Sequence, residues 1–298
     1  MLIFLRVIRL IISDSLSKST NIALLVNSLS GKNKAVLIAQ SVEQFLFHKQ
    51  IQVNTFIDTW PSELHSFSDI WLFGGDGTLN YFVNHYPDCS IPLSIFPAGT
   101  GNDFAFILYG KMNALQQAEY ILNAPFRKVD AGCCNGLIFM NGVGLGFDGE
   151  VLKAMRQIRK IGGGLGYLLA VVKQVFFFKE MSFSTHGDLT CNNQELLLFM
   201  INNSSRTGGG FHVSPLSTVD DGFLDVVISK PLSILKRLLH LSKIKTGKHL
   251  KLPFIEHHSV KNITVTTNRK CFGQLDGELI EGDRFEFAVL KDRFLFRY

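Results

Sequence analysis

The chain of 298 residues has few cysteines, few prolines and no apolar run long enough to span a bilayer. Its five cysteines, Cys89, Cys133, Cys134, Cys191 and Cys271, are odd in number, and no two form a C-x-x-C pair. That excludes a disulfide framework and a cysteine-based zinc site, and leaves them as small hydrophobes in a reducing cytoplasm. Eight prolines and 26 glycines without a period exclude collagen and a low-complexity linker. A spanning helix needs roughly 20 apolar residues, and no segment supplies them. Met1–Ile12 is short and is broken by Arg6 and Arg9, and no small-residue cleavage site follows, so it is not read as a signal peptide. Leu165–Phe178 contains Lys173 and Gln174 and reads as a buried or interfacial helix. The histidines show no H-E-x-x-H spacing.

Acid is missing from one long segment. Lys230 to Lys251 holds Lys230, Lys236, Arg237, Lys243, Lys245, Lys248 and Lys251 and no Asp or Glu, whereas the rest of the chain has 23 basic residues against 25 acidic. All of the net charge of +5 is therefore local. A local basic face points to an anionic surface or ligand, not to nucleic acid. Within it, Leu232–Ile244 has helical spacing, apolar at Leu235, Leu238, Leu239 and Leu241 and basic at Lys236, Arg237 and Lys243. That pattern suits a helix lying on anionic lipid, and equally a solvated face on a core helix.

What is present is a core. Hydrophobic residues make up 46% and charged residues 18%, which excludes a disordered chain. In the first half, strand-like runs at Ile22–Val26, Ile51–Ile57, Ile70–Phe73 and Leu93–Phe96 alternate with helical spacing such as Ala35–His48. Alternation of this kind predicts an α/β domain with a parallel sheet. After Asp130 the chain changes to short strand-like runs: Gly132–Met140, Phe183–Thr185, Leu196–Ile201, Leu224–Ile228, Ile263–Thr267 and Phe285–Val289. Helical spacing is sparser there, at Glu150–Lys160, Tyr167–Phe178 and Leu232–Ile244, so a second, mostly antiparallel β domain is expected. Phe176-Phe177-Phe178 reads as core.

Two glycine turns stand out. Ile70–Phe73 runs into Gly74-Gly75-Asp76-Gly77-Thr78-Leu79-Asn80, and helical spacing resumes at Tyr81. Such a strand–turn–helix makes a phosphate cradle, because glycines let successive N–H groups converge on an anion and the helix adds its positive end. Thr78 is placed to cap that helix or to offer a hydroxyl to phosphate, and Asp76 supplies a carboxylate suited to Mg²⁺ between phosphates. The turn is neither a Walker A loop nor a Rossmann G-x-G-x-x-G. The second turn, Pro97-Ala98-Gly99-Thr100-Gly101-Asn102-Asp103-Phe104-Ala105, follows Leu93–Phe96, so both leave the carboxyl ends of parallel strands, where open α/β sheets bind ligands. Asp103 suits Mg²⁺ and equally a helix cap.

Gly74–Asn80 and Pro97–Ala105 resemble the nucleotide loops of the diacylglycerol kinase catalytic domain, found in soluble bacterial lipid kinases and sphingosine kinases. Three further segments resemble that family's motifs in the same order: Asn141-Gly142-Val143-Gly144-Leu145-Gly146-Phe147-Asp148, then Gly208–Phe211 through Pro215 to Asp220–Asp225, then Asp276-Gly277-Glu278. The resemblance implies a nucleotide-binding α/β domain over 21–128 and a β-sandwich lipid-substrate domain over 129–290. It also implies an active site in the cleft between them, with 291–298 returning to the first domain. Residues 1–20 have no counterpart. Asn27, Ser30 and Gly31 match the family's first loop, but Ser28 replaces its proline, which predicts a less rigid loop.

The resemblance further implies an ATP- and Mg²⁺-dependent lipid kinase, cytoplasmic and peripheral to the membrane. Its expected acceptor is diacylglycerol, giving phosphatidic acid; phosphatidylglycerol, ceramide and sphingoid bases are the other acceptors it leaves open. By resemblance, ATP is held by Thr59, Gly74, Gly75, Asp76, Gly77, Thr78, Leu79, Asn80 and Thr100. Asp276 is the expected base, although Asp-Gly is also a common hairpin pair. Glu278, two residues on, would share its side of a strand and help hold catalytic Mg²⁺. Asp221, with carbonyls of Thr218 and Phe223, matches a structural Mg²⁺ site, or equally a plain β-turn. Two rivals remain. A soluble-substrate kinase of the NAD-kinase type shares the G-G-D-G-T loop but neither the second loop nor D-G-E. A catalytically inactive lipid-binding regulatory protein would not need the carboxylates, which are all present.

Overall fold

The computed structural model describes residues 21–158 and 171–298. The ends of two expected helices, 159–160 and 167–170, lie outside the described residues.

The first half is built on four parallel strands, β1 (Asn21–Val26), β2 (Gln52–Ile57), β3 (Asp69–Gly74) and β4 (Leu93–Pro97), in the order β2-β1-β3-β4. Ile22 to Val26 and Ile70 to Phe73 are buried at every position, as an unbroken apolar run must be when helices cover both faces of a sheet. The helices are α1 (Lys34–His48), α2 (Asp76–His85), α3 (Asp103–Tyr109) and α4 (Ala114–Asn123). An Asn113/Gln116 capping box starts α4 by satisfying two of its free N–H groups.

The second half is antiparallel. It contains β5 (Phe126–Cys134), β6 (Leu137–Phe139), β7 (Gly142–Gly146), α5 (Phe147–Ile158), β8 (Met181–Gly187), β9 (Cys191–Leu196), β10 (Leu198–Asn202), β11 (Leu224–Ser229), α6 (Ile234–Lys245), β12 (Ile255–Val260), β13 (Asn262–Leu275) and β14 (Glu278–Arg297). The expected single strand Gly132–Met140 is two strands. Asn135 and Gly136 both take positive φ and turn the chain back on itself, as a two-residue hairpin requires.

Two of the strands are much longer than expected, and they shape this half. The first part of β13 pairs with β8, and after a break in register between Thr266 and Cys271 its last part pairs with β7. One strand therefore serves two layers. The core between them takes Phe183 from β8 and Phe199 from β10, whose rings stack at 5.3 Å. The final strand, β14, pairs with β13 and β5 and ends beside β4, where Phe296 lies opposite Leu93 in parallel. Its Phe294 and Phe296 belong to the first half's core. Arg297 closes this junction with a two-pronged contact to buried Asp69, at 2.7 and 3.2 Å.

Candidate active site

The loops that leave β1, β3 and β4 meet above the carboxyl edge of the parallel sheet. Gly75 and Gly99 touch backbone to backbone: a Cβ on Gly75 would lie 2.9 Å from the Gly99 Cα, and one on Gly99 would lie 2.7 Å from the Gly75 Cα. Only glycine allows the two turns to close on each other, which explains both residues. Gly75 is the N-cap of α2 and carries no side chain to fill that role. Thr78 is not the cap that its position suggested. It is buried beneath Gly74, and its Oγ1 accepts the Asn27 amide at 2.9 Å. Leu79 is in the core, while Gly77 in the first turn of α2 and Thr100 on the second loop are exposed.

Nor is the first loop loose. Ser28 donates its N–H and its hydroxyl to Asp58, at 2.8 and 2.6 Å, and so pins the loop to the end of β2. Those two bonds hold the Asp58 carboxyl below its usual pKa. The next residue, Thr59, is exposed on the rim.

Asp276 sits in the two-residue turn between β13 and β14. Both Asp276 and Gly277 take positive φ, and Leu275 pairs with Glu278 across them, so Asp276-Gly277 is a hairpin pair. Its carboxylate is also buried and held by three backbone donors: Met140 N–H at 2.7 Å, and Asn141 and Gly142 N–H at 2.9 Å each. Asn80 of α2 reaches it at 3.4 Å, so this nucleotide-loop residue faces the second half. Burial pushes the Asp276 pKa up to about 6, the three N–H groups oppose the rise, and the charge of Asp76 adds to it.

The turn also corrects the expectation for Glu278. A two-residue side-sharing rule holds along a strand, and these residues straddle a reversal. Glu278 is exposed and pairs with Arg156 at 2.8 Å, away from the buried carboxylate.

Between Asp276 and the nucleotide loops runs a chain of polar contacts. Asp76 accepts the N–H groups of Asp103 and Phe104 at 3.0 Å each, fixing the start of α3. Asn141 donates to Asp76 at 3.3 Å and accepts from Ser204 at 2.9 Å. Asp103 is buried; it accepts the Gly209 N–H at 2.7 Å and faces Arg206 at 3.3 Å. The Arg206 guanidinium lies 3.8 Å from the centre of the Phe106 ring. Burial, and then Asp76, raise the pKa of Asp103. None of Asn141, Ser204 and Arg206 was a sequence candidate, although Asn141 opens a motif that the sequence displays. A further such residue is Asp148, whose pKa burial pushes up to about 6 against a hydrogen bond from Gln274. Gln274 in turn accepts the Gly277 N–H at 2.9 Å, so Asp148 is two contacts from the Asp276 turn.

A catalytic Mg²⁺ fits these carboxylates. Asp103 Oδ1 is buried and makes no hydrogen bond, the Arg206 Nε facing it at 3.3 Å, and Asp76 lies beside Asp103. No cluster of three acidic, His or Cys ligands exists among the described residues; Mg²⁺ commonly takes one or two carboxylates and completes its shell with phosphate and water. The position of Asp221 differs. It is exposed, and its Oδ1 accepts the Phe223 N–H at 3.0 Å, while Gly222 N–H goes to Asp130 at 2.6 Å. These bonds shape the turn; Thr218 and Phe223 are exposed beside it.

Beneath α6 lies an apolar cavity of about 60 Å³, lined by Phe147, Val175, Leu198, Leu232, Ile244 and Phe254 among others. It is smaller than the ~150 Å³ that holds one benzene ring, so no acyl tail fits it as it stands.

Comparison with known proteins agrees with this architecture. A family model described as the diacylglycerol kinase catalytic domain matches residues 21–134. One described as the YegS C-terminal NAD kinase beta sandwich-like domain matches residues 141–286. A probable lipid kinase YegS-like from Pseudomonas syringae pv. syringae is 30% identical over 229 residues, covering 72% of this chain and 71% of its own. A diacylglycerol kinase from Bacillus subtilis is 27% identical over 72% of each chain. The crystal structure of a diacylglycerol kinase from Bacillus anthracis shares the fold, with a TM-score of 0.77 at 23% identity over 95% of this chain and 98% of that one. With both halves matched in order, the chain belongs to the diacylglycerol kinase catalytic-domain family and is a lipid kinase, a phosphotransferase.

Proposed function

We propose that the chain transfers the γ-phosphate of ATP to the hydroxyl of diacylglycerol, giving phosphatidic acid, with Asp276 as the base. The observation that carries this reading is the state of the Asp276 carboxylate. It is buried, fixed by three N–H groups and tied through Asn80 and the Asn141–Asp76 contact to the glycine loops. A carboxylate has about four lone-pair sites; three short N–H bonds orient this one, and the fourth site holds only the long 3.4 Å contact from Asn80, which an incoming hydroxyl would replace. A pKa of about 6 lets it be ionised at neutral pH and still accept a proton.

In this reading the lipid oxygen attacks the γ-phosphorus, the bond to the β-phosphate oxygen breaks, and the hydroxyl proton passes to Asp276. Phosphoryl transfer asks mainly for positioning and charge neutralisation. The backbone of Gly74–Thr78 and Gly99–Gly101 would cradle the phosphates, with Thr59 and Thr100 at the rim. Asp76 and Asp103 would hold Mg²⁺, which when bound offsets phosphate charge. Asp276, on the second half, would face the acceptor hydroxyl.

No helix among the described residues is long and apolar enough to cross a membrane, and the five cysteines are unpaired. Free cysteines are in keeping with a reducing cytoplasm, where the enzyme would reach its lipid at the membrane surface.

The test is transfer of labelled γ-phosphate from ATP, with Mg²⁺ present or chelated, onto diacylglycerol, phosphatidylglycerol, ceramide and sphingosine in mixed micelles, with NAD⁺ alongside. Label in diacylglycerol, lost on chelation and in Asp276→Asn, is the expected result. Label in another lipid alone would replace the acceptor, and label in NAD⁺ alone would overturn the lipid reading.

A further inference from the structure

The helix α6 is inside out by the ordinary rule for a surface helix. Three of its leucines point outward: Leu235 is 76%, Leu239 66% and Leu238 41% exposed, with Ile234 also exposed. Its one arginine points inward. The Arg237 side chain donates to the carbonyls of Leu232, Val175 and Phe178 at 2.9 to 3.2 Å, and it pairs with Glu180. The guanidinium thereby ties α6 to the end of the neighbouring helical segment, 171–177. That segment presents two more large apolar groups, Phe176 and Phe177, the latter 75% exposed. Six large apolar side chains thus stand exposed on two elements that one buried arginine clamps together.

Lysines flank the patch. Lys236, Leu239 and Lys243 follow one another at i, i+3 and i+7, so they share one stripe of α6. Lys245 lies at its end, and Lys173 and Lys179 bracket Phe176 and Phe177 in sequence. None of these five lysines has an ion-pair partner among the described residues. The acids nearest in sequence to the patch are already engaged: Glu180 by Arg237, Asp225 by Ser259 and Glu256 by Lys230. Water is a poor solvent for such an apolar surface, and unpaired lysines around it select for negative charge.

We propose that α6 and residues 176–177 form a membrane-docking wedge whose occupant is a bilayer surface bearing anionic lipid. Leu235, Leu239 and Phe177 enter the apolar boundary, and Lys236, Lys243 and Lys179 meet the headgroups. A helix with leucine on one face and lysine beside it binds in the interface plane, by buried apolar area plus charge. Each lysine near an anionic leaflet strengthens binding about fivefold, an effect that salt screens. The proposal rests on the lipid-kinase reading for its purpose, since a diacylglycerol acceptor resides in the bilayer, but its geometry does not depend on the chemistry at Asp276.

The experiment is co-sedimentation of the full chain with phosphatidylcholine vesicles, with and without phosphatidylglycerol, at low and high salt. The wild type is expected to sediment with the anionic vesicles. Leu235→Ser/Leu239→Ser should weaken that binding at least tenfold at either salt concentration. Lys236→Glu/Lys243→Glu should weaken it at least tenfold at low salt and little at high salt. Circular dichroism should show both variants folded, and both should phosphorylate a water-dispersed short-chain diacylglycerol at the wild-type rate. Vesicle binding unchanged in the leucine variant would overturn the wedge. So would a wild-type dimer that the leucine variant converts to a monomer, because a second copy would then cover the face. If vesicles bind as expected while no lipid is phosphorylated, the wedge stands and the assigned reaction fails. If short-chain lipid is phosphorylated and vesicles do not bind, the reverse holds.

Discussion

The cleft and the α6 face break the rule of burial in opposite directions. In the cleft, polar and charged groups are inside: Asp276, Asp103 and Asn141 are all buried, and Asp76 is partly so. They persist because nearly every oxygen has a donor, down to three backbone N–H groups on one carboxylate. On α6, apolar groups are outside, and among the described residues nothing satisfies them. A buried charge that is well paired indicates chemistry done in place, since its pKa and position are set before substrate arrives. An exposed apolar patch indicates a surface waiting for something absent from the chain. The first region is therefore expected to fail when a partner is removed, and the second to tolerate removal until a membrane is supplied.

The largest expected effect is at Asp276. Asp276→Asn keeps the size of the side chain and removes the proton acceptor, so turnover should fall about 10²–10⁴-fold. Nucleotide affinity, measured by calorimetry, should stay within about threefold. A variant that retains most of its turnover would show that the paired carboxylate in the cleft is only a turn residue.

Next is the pair Asp103–Arg206, which joins α3 of the first half to the loop before β11 of the second. The side chains are 3% and 13% exposed, so breaking the pair from one side leaves a buried charge alone. Arg206→Gln should cost about 3 kcal/mol of stability by the usual cost of an orphaned buried ion. It should also raise the nucleotide KM more than it lowers kcat, because the loop 99–103 loses its brace. The double variant Asp103→Asn/Arg206→Gln should recover part of the stability. Strict additivity in urea unfolding would deny the coupling.

Smaller is the effect of pH. As the proposed base Asp276 would act only when ionised, and burial pushes its pKa up to about 6. Activity should therefore fall as pH drops through 6, about tenfold per unit below it. Burial sets most of that raised value, but Asp76 contributes as a like charge. Asp76→Asn should move the acid limb to lower pH while lowering its plateau, since Asp76 also holds the start of α3. An acid limb that stays in place would remove Asp76 from the electrostatics of the base.

How legible each region is in the sequence follows from the distance over which its meaning is written. The glycine turns are local objects: strand, turn and helix lie within a dozen residues, so Gly74–Asn80 announces itself. The parallel sense of β1 to β4 follows from the alternation of strand and helix; their order does not. The zipper across the cleft is not local. Asn141 reaches Asp76 over 65 residues and Asp103 reaches Gly209 over 106, and no pattern in either segment encodes its partner. Glu278 shows the opposite error, in which a local rule for strands was applied across a reversal. Ser28 shows another: the loss of a proline predicts slack, but Asp58, 30 residues away, takes it up.

The helical period of α6 is legible too, and it marks a stripe of leucines. It does not say which side faces in. That choice was made by Arg237, which finds three carbonyls and a carboxylate inside, an interior more polar than the leucines would suit. The smallest effect predicted tests this orientation directly. If Leu235 and Leu239 contribute to a core, Leu235→Ser/Leu239→Ser should cost several kcal/mol, in the range of large-to-small core changes. Exposed as they are, the cost of unfolding in the absence of lipid should change by no more than about 0.5 kcal/mol. A chemical denaturation series without vesicles decides it. A midpoint that hardly moves, beside vesicle binding that collapses, would show that these leucines serve an outside partner and not the fold.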